Sequence, residues 1–135
     1  MVRLEVQIAQ LLRRIQSVSS KLPMIATIES ASGGRIADKI TNVPGSSDYY
    51  MGSVVSYSNW AKMNIVGVKK ATLAAHGAVS RETAIEMAEG GRKLFKADIC
   101  ISDTGIAGPS GATPGKPMGL FYLGLSAGDA SLVQK

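Results

Sequence analysis

Three stretches of this chain carry residue types that could do chemistry, two of them rich in glycine. In Glu29-Ser30-Ala31-Ser32-Gly33-Gly34, two hydroxyls and a carboxylate sit where a short apolar run gives way to an amphipathic one. A serine at the end of a strand lies where ligands bind in open α/β sheets. The N–H groups of Ser32, Gly33 and Gly34, entering a helix, favour an anion or a developing oxyanion. The glycines let backbone approach a ligand closely. The same stretch also fits plain capping of the helix by Ser30 and Ser32.

Tyr57-Ser58-Asn59-Trp60-Ala61-Lys62 is the second stretch. A strand delivers Tyr57 and a helix begins at Asn59. Lys62 lies roughly one helical turn further on, so Tyr57 and Lys62 can face one crevice. A nucleophilic serine needs a base, and lysine or tyrosine serves where histidine does not. Lysine must first lose its proton, which requires its pKa to fall from about 10.4 towards roughly 7–8, through burial or a neighbouring cation. The other reading packs Tyr57 on the core and leaves Lys62 solvated. The third stretch runs from Thr104 to Gly119 and holds five glycines and three prolines. A long, partly rigid loop after a strand is a functional feature more often than a plain surface loop. Its N–H groups can cradle a phosphate. It lacks the spacing and the Gly-Lys-Ser/Thr ending of a P-loop.

The elements that must hold these stretches follow from periodicity. Residues 2–22 carry Leu4, Ile8, Leu11, Leu12, Ile15 and Val18 at three- and four-residue spacing, which predicts a helix stopped by Pro23. Met24–Ile28 reads as a strand, Arg35–Thr41 as a helix and residues 42–47 as a turn. Tyr49–Ser56 is a strand with an irregularity at Gly52. Asn59–Val66 and Lys70–Ala75 are short helices. Ser80 caps a helix running to about Lys96. Asp98–Ser102, Pro117–Ser126 and Ser131–Val133 complete the strands. Helices alternating with short apolar strands predict an α/β layered domain.

Bulk properties exclude several classes. The chain's 135 residues fit one domain with a real core. Apolar residues make up 45% and charged residues 19%, which excludes disorder. No apolar run approaches membrane-spanning length and the start is not a signal peptide, so a cytoplasmic setting is expected. One cysteine, Cys100, excludes an internal disulfide and suits a reducing compartment. The net charge is +5 and the pI about 9.5, yet the cations are scattered without aromatic interleaving. That disfavours nucleic acid and suits small phosphorylated anions. His76 is expected to help end a helix, Cys100 to sit in the core and Trp60 to pack. No metal-ligand spacing is present.

Taken together, the stretches resemble the CinA C-terminal domain family over about Met24–Ser126. The resemblance is carried by Glu29–Gly34, Val43-Pro44-Gly45-Ser46-Ser47, Val55–Asn59 with Lys62, Leu73–Ser80, and Thr104–Pro109 with Thr113-Pro114, Lys116-Pro117 and Gly119. It implies a three-layer α/β/α fold with a mixed, mostly parallel sheet of about five strands, and self-association. It implies hydrolysis of the carboxamide of nicotinamide mononucleotide to nicotinic acid mononucleotide and ammonia, a step of pyridine-nucleotide salvage that needs no cofactor. The family's nucleophilic serine falls on Ser30, and its tyrosine and lysine on Tyr57 and Lys62. The expected oxyanion donors are at Ser32, Gly33 and Gly34. The expected substrate and phosphate contacts are Glu29, Ser46, Ser47, Asn59, Thr104, Gly105, Gly108 and Lys116.

The chain departs from the family's usual Glu-Ser-Cys-Thr-Gly-Gly at Ala31 and Ser32, and carries Arg35, Ser53 and Asp103 where other residue types are usual. Asp103 is expected either to repel a substrate phosphate or to pair with Lys or Arg. The family's last helix, with an Arg that helps hold phosphate, would lie beyond Lys135. Arg35, Lys116 or a neighbouring subunit are the alternatives for that cation. The competing expectation is a non-catalytic mononucleotide-binding or oligomerisation module that has kept the fold.

Overall fold

The computed structural model describes residues 1–135. The first helix, α1 (Leu4–Ser19), ends sooner than Pro23 requires. Ser20 turns left-handed at φ 63° and returns its N–H to Gln16 O. Strand β1 (Ile25–Glu29) is buried at all five positions. A central strand between two parallel neighbours is covered on both faces, so it reads as one continuous run rather than an alternation. Helix α2 (Arg35–Thr41) follows, then a 3-10 turn (Ser46–Asp48) and strand β2 (Tyr50–Val55). Helix α3 (Asn59–Ala61) runs directly into a π-helical turn (Lys62–Val66). Helices α4 (Lys70–His76) and α5 (Arg81–Phe95) lead to strands β3 (Ile99–Gly105), β4 (Phe121–Ala127) and β5 (Ala130–Gln134). As expected, Ser80 caps α5, its hydroxyl accepting the Thr83 N–H.

The sheet order is β2-β1-β3-β4-β5. The β1/β2 and β1/β3 ladders are parallel, and the β3/β4 and β4/β5 ladders antiparallel. Four strands therefore share one direction and β4 opposes them. The irregularity expected at Gly52 is a bulge: Ile25 faces Tyr50 but Ala26 faces Gly52, leaving Met51 over. Side chains alternate across β1. Ala26 and Ile28 pack with Cys100, Met87 and Val66 beneath α5. Ile25 packs with Leu12, Ile40 and Tyr49 beneath α1 and α2. Three layers result. Cys100 is fully buried, and burial pushes its thiol up to about 12, so it is core as expected. Trp60, expected to pack, is instead 64% exposed. No helix is long and apolar enough to cross a membrane.

Helix α5 lies close on the sheet because two glycines remove what would hold it off. A Cβ on Gly91 would stand 2.2 Å from Ile28 Cγ1 and 2.6 Å from Cys100 Sγ. A Cβ on Gly124 would stand 2.4 Å from Ala84 O. Alanine in a helix interior is favoured over glycine by about 1 kcal/mol. Overpacking a core costs typically 1–3 kcal/mol, and these contacts belong at the upper end. Gly91→Ala is therefore expected to lower stability by about 1–2 kcal/mol net, read as a lower urea midpoint at unchanged slope.

The parallel arrangement places the functional stretches. The last residues of β1, β2 and β3 end on the same edge of the sheet. The Ser30 turn, the Tyr57 segment and the glycine-rich loop all leave from that edge.

Candidate active site

Ser30 follows β1 directly, in a turn that leads into α2. Gly33 and Gly34 make the turn with φ 60° and 96°, values an L side chain resists. The Ser56 N–H donates to Glu29 O at 2.8 Å and carries the β1/β2 pairing one residue further. Beyond it, Ser58 caps α3 by accepting the Ala61 N–H at 3.1 Å. The helix then widens. The Gly67 N–H reaches back to Lys62 O, an i→i+5 bond, and the Val68 N–H joins it at 2.9 Å. Such π turns recur at functional sites. This one begins at Lys62.

The Lys62 side chain is 1% exposed and runs under the sheet edge. Its Nζ lies 2.9 Å from Ser30 Oγ, 2.8 Å from Ser56 O and 3.1 Å from Tyr57 O. Three acceptors match the three hydrogens of an ammonium. In the neutral amine the two carbonyls take both N–H groups, and the lone pair is left for the Ser30 hydroxyl hydrogen. Burial draws the Lys62 pKa below its ordinary value, and the charge of Asp103 partly opposes this. Of the two routes foreseen, burial operates; in place of a neighbouring cation the structure has a carboxylate.

Ser30, Tyr57, Lys62, Thr104, Gly105 and Gly108 line one cavity of about 310 Å³, together with Ala31, Ala78, Val79 and the segment Ile106–Ala107 and Ser110–Gly111. That size lies at the lower end for small-ligand sites. Tyr57 contributes a backbone carbonyl to Lys62, and as a residue it is 74% exposed at the cavity rim. Thr104 and Gly105 belong to β3, so the loop proper begins two residues later than expected. The Thr104 hydroxyl donates to Ala78 O at 2.6 Å and ties the strand end to the segment after α4.

The remaining expected residues lie elsewhere. Glu29 is fully buried and does not line the cavity; it caps α2 from below. Its oxygens accept the N–H groups of Gly34, Ile36 and Ala37 at 2.8–3.1 Å. Burial alone would raise its pKa; hydrogen bonds from Ser32, Ile36, Ala37 and Gly34 outweigh that and lower it. Ser46 and Ser47 follow the far end of α2 and precede β2, at the opposite edge of the sheet from Ser30. Asn59 opens α3 outside the cavity wall. Lys116 donates to His76 O at 2.7 Å, pinning the loop to the end of α4. His76 is the last residue of α4, as expected, with Nδ1 3.6 Å from Glu82 Oε2.

The oxyanion donors expected at Ser32, Gly33 and Gly34 are already engaged. Their N–H groups go to Asp103 Oδ2, Ser30 O and Glu29 Oε1. Within this turn the amide with no protein acceptor is that of Ala31, which lines the cavity. In the loop, the N–H groups of Ala107, Gly108, Ser110 and Gly111 are likewise without protein acceptors. Asp103 neither forms an ion pair nor faces outward: it accepts the Ser30 N–H at 3.0 Å and the Ser32 N–H at 3.1 Å. Sequence reasoning missed the Ser56 carbonyl, the Ala31 amide and this use of Asp103. Only Asp103 had left a signal, as a departure from the family pattern. No His, Cys, Asp or Glu side chains are grouped as a set of three that could hold a metal ion.

Residues 6–135 match the model of the CinA C-terminal domain. A competence-damage inducible protein of Caldanaerobacter subterraneus subsp. tengcongensis is 56% identical over 111 residues, 82% of this chain and 27% of its own length. A CinA-like protein of Kosmotoga olearia is 54% identical over the same shares. The chain thus spans about a quarter of the length of these curated relatives. Among solved structures, the competence/damage inducible protein CihA of Agrobacterium tumefaciens superposes with a TM-score of 0.84 at 38% identity, covering 99% of this chain and 81% of that one. The competence damage-inducible protein A of Klebsiella pneumoniae gives 0.88 at 30% identity, covering 96% and 77%.

Proposed function

The chain belongs to the CinA C-terminal domain family, and from that premise we propose that it hydrolyses the carboxamide of nicotinamide mononucleotide, giving nicotinic acid mononucleotide and ammonia through an ester on Ser30. The observation that carries the reading is the buried Lys62 amine 2.9 Å from Ser30 Oγ at the floor of a cavity.

In this mechanism neutral Lys62, held by the Ser56 and Tyr57 carbonyls, takes the proton of Ser30 as Oγ bonds to the amide carbon. The carbonyl oxygen becomes an oxyanion beside the Ala31 N–H. Lys62 returns the proton to the leaving nitrogen, the C–N bond breaks and ammonia departs. Water then adds to the ester with Lys62 taking one proton. The C–Oγ bond breaks, Ser30 regains its hydrogen from Lys62, and the acid leaves. A fixed donor at the oxyanion is worth about 10²–10³ in rate. The pyridine ring lies against Tyr57. The phosphate is held by the free amides of Ala107, Gly108, Ser110 and Gly111 and by the Ser110 hydroxyl. No side-chain cation other than Lys62 lines the cavity, so backbone donors carry this load.

Incubation with nicotinamide mononucleotide is expected to yield ammonia and nicotinic acid mononucleotide in equal amounts. A raised melting temperature with the mononucleotide but no ammonia would overturn the amidase reading in favour of a binding module. Tyr57→Ala is expected to raise KM about tenfold with a smaller change in kcat, since stacking on an aromatic ring is worth about 1–3 kcal/mol. Initial rates across substrate concentration check this.

A further inference from the structure

Asp103 is 1% exposed, on the strand next to Ser30, and the steps above leave it without a task. Its Oδ1 accepts the Ser30 N–H at 3.0 Å and its Oδ2 the Ser32 N–H at 3.1 Å. The Ser32 hydroxyl sits on Oδ1 as well, and also reaches Glu29 Oε1 at 2.6 Å. One carboxylate on β3 therefore grips the amides on both sides of Ala31. The amide between them keeps no protein acceptor. An amide side chain could not replace this grip. Asparagine has one acceptor oxygen, and its NH2 would face the donor of Ser32 or Ser30.

The same group is a charge near the base. Glu29, at the end of β1, turns its carboxylate to the start of α2, and Tyr57 meets the amine through its backbone carbonyl, which leaves Asp103 on β3 as the charge that opposes the burial of Lys62. Resting on the reading of Ser30 as nucleophile and Lys62 as base, we propose that Asp103 is a positioning residue for the Ser30 reaction. It clamps the turn that presents the hydroxyl and the Ala31 N–H, and through the Ser30 N–H it places a carboxylate beside the residue whose hydroxyl meets Lys62 Nζ.

The test is Asp103→Asn. A turn displaced by a fraction of an ångström loses alignment, and misplacement of about 1 Å can cost 10²-fold. The alkaline plateau of kcat is expected to fall by about ten- to a hundredfold with KM little changed. The acid limb of kcat/KM moves to lower pH. The titration of Lys62, followed by NMR of ¹³Cε-labelled lysine, moves with it. A residue that merely supported the fold would shift neither limb nor titration. In the unsubstituted protein, the ¹³C resonance of the Asp103 carboxyl is expected to step at the pH where Lys62 titrates. That measurement decides the matter even if the variant does not fold. Unchanged plateau, limb and titration in a folded variant overturn the proposal, as does an Asp103 resonance blind to Lys62. If the Lys62 titration moves but neither protein releases ammonia, the link between Asp103 and Lys62 stands and the amidase reading falls.

Discussion

Ser30→Ala protein is expected to release ammonia from nicotinamide mononucleotide at least about 10³-fold more slowly than the unsubstituted protein, with its unfolding transition intact. Removing a nucleophile from a unit that acts together costs several orders of magnitude, and further losses in the same unit do not add. The substitution deletes one oxygen. Among protein groups that oxygen has one partner, Lys62 Nζ, which keeps the Ser56 and Tyr57 carbonyls. The Ser30 N–H, which holds the turn to Asp103, is untouched. Stability should therefore change by no more than about 1 kcal/mol, the ordinary net worth of a hydrogen bond. Mononucleotide should still raise the melting temperature of the variant, because the loop amides remain. Ammonia release within tenfold of the original rate would mean that water, not Ser30, attacks the amide.

The sequence makes the layers legible because its periodicities are strong. Leu4, Ile8, Leu11, Leu12 and Ile15 announce a helix. Ser80 announces the next long one, since a capping hydroxyl has few other uses there. The boundaries drift where local geometry decides. Ser20 ends α1 through its own left-handed turn, three residues before the proline that was expected to do so. The convergence of Ser30, the Tyr57–Lys62 segment and the glycine-rich loop is legible because they follow β1, β2 and β3, and three strands sharing a direction must end together. Ser46 and Ser47 show the limit of that reasoning. They sit in a motif of the family yet follow the far end of α2, which puts them at the other edge of the sheet. Backbone donors and acceptors carry no residue-type signal. The carbonyl of Ser56 and the amide of Ala31 become visible only once every neighbouring N–H has been paired off.

The second large effect concerns Lys62, where stability and activity are expected to part. Lys62→Met fills the same slot without a base, and Lys62→Arg keeps a charge that cannot be given up. Both are expected to lose at least about 10³-fold in kcat/KM. If the lysine served only as a fixed cation, arginine would retain much of the activity. The linkage fixes the sign of the stability effect. Burial lowers the folded-state pKa of Lys62 below that of the unfolded chain. Between the two values the unfolded chain binds more protons, so stability rises with pH through that window. Below the folded-state value the charged amine is a constant burden on the fold; above the unfolded value, about 10.4, that burden is gone. Lys62→Met has no such proton to lose. The stability of the unsubstituted protein relative to Lys62→Met should therefore climb with pH from the folded-state value up to about 10.4, when urea midpoints of the two are compared point by point. The rising acid limb of kcat/KM in the unsubstituted protein should level off at the same folded-state value where the stability gain sets in, because the proton that weakens the fold is the one that must leave before Ser30 can be activated. Parallel stability curves for the two proteins would show an amine that titrates as it does in water, and a base of that kind is almost wholly protonated at neutral pH.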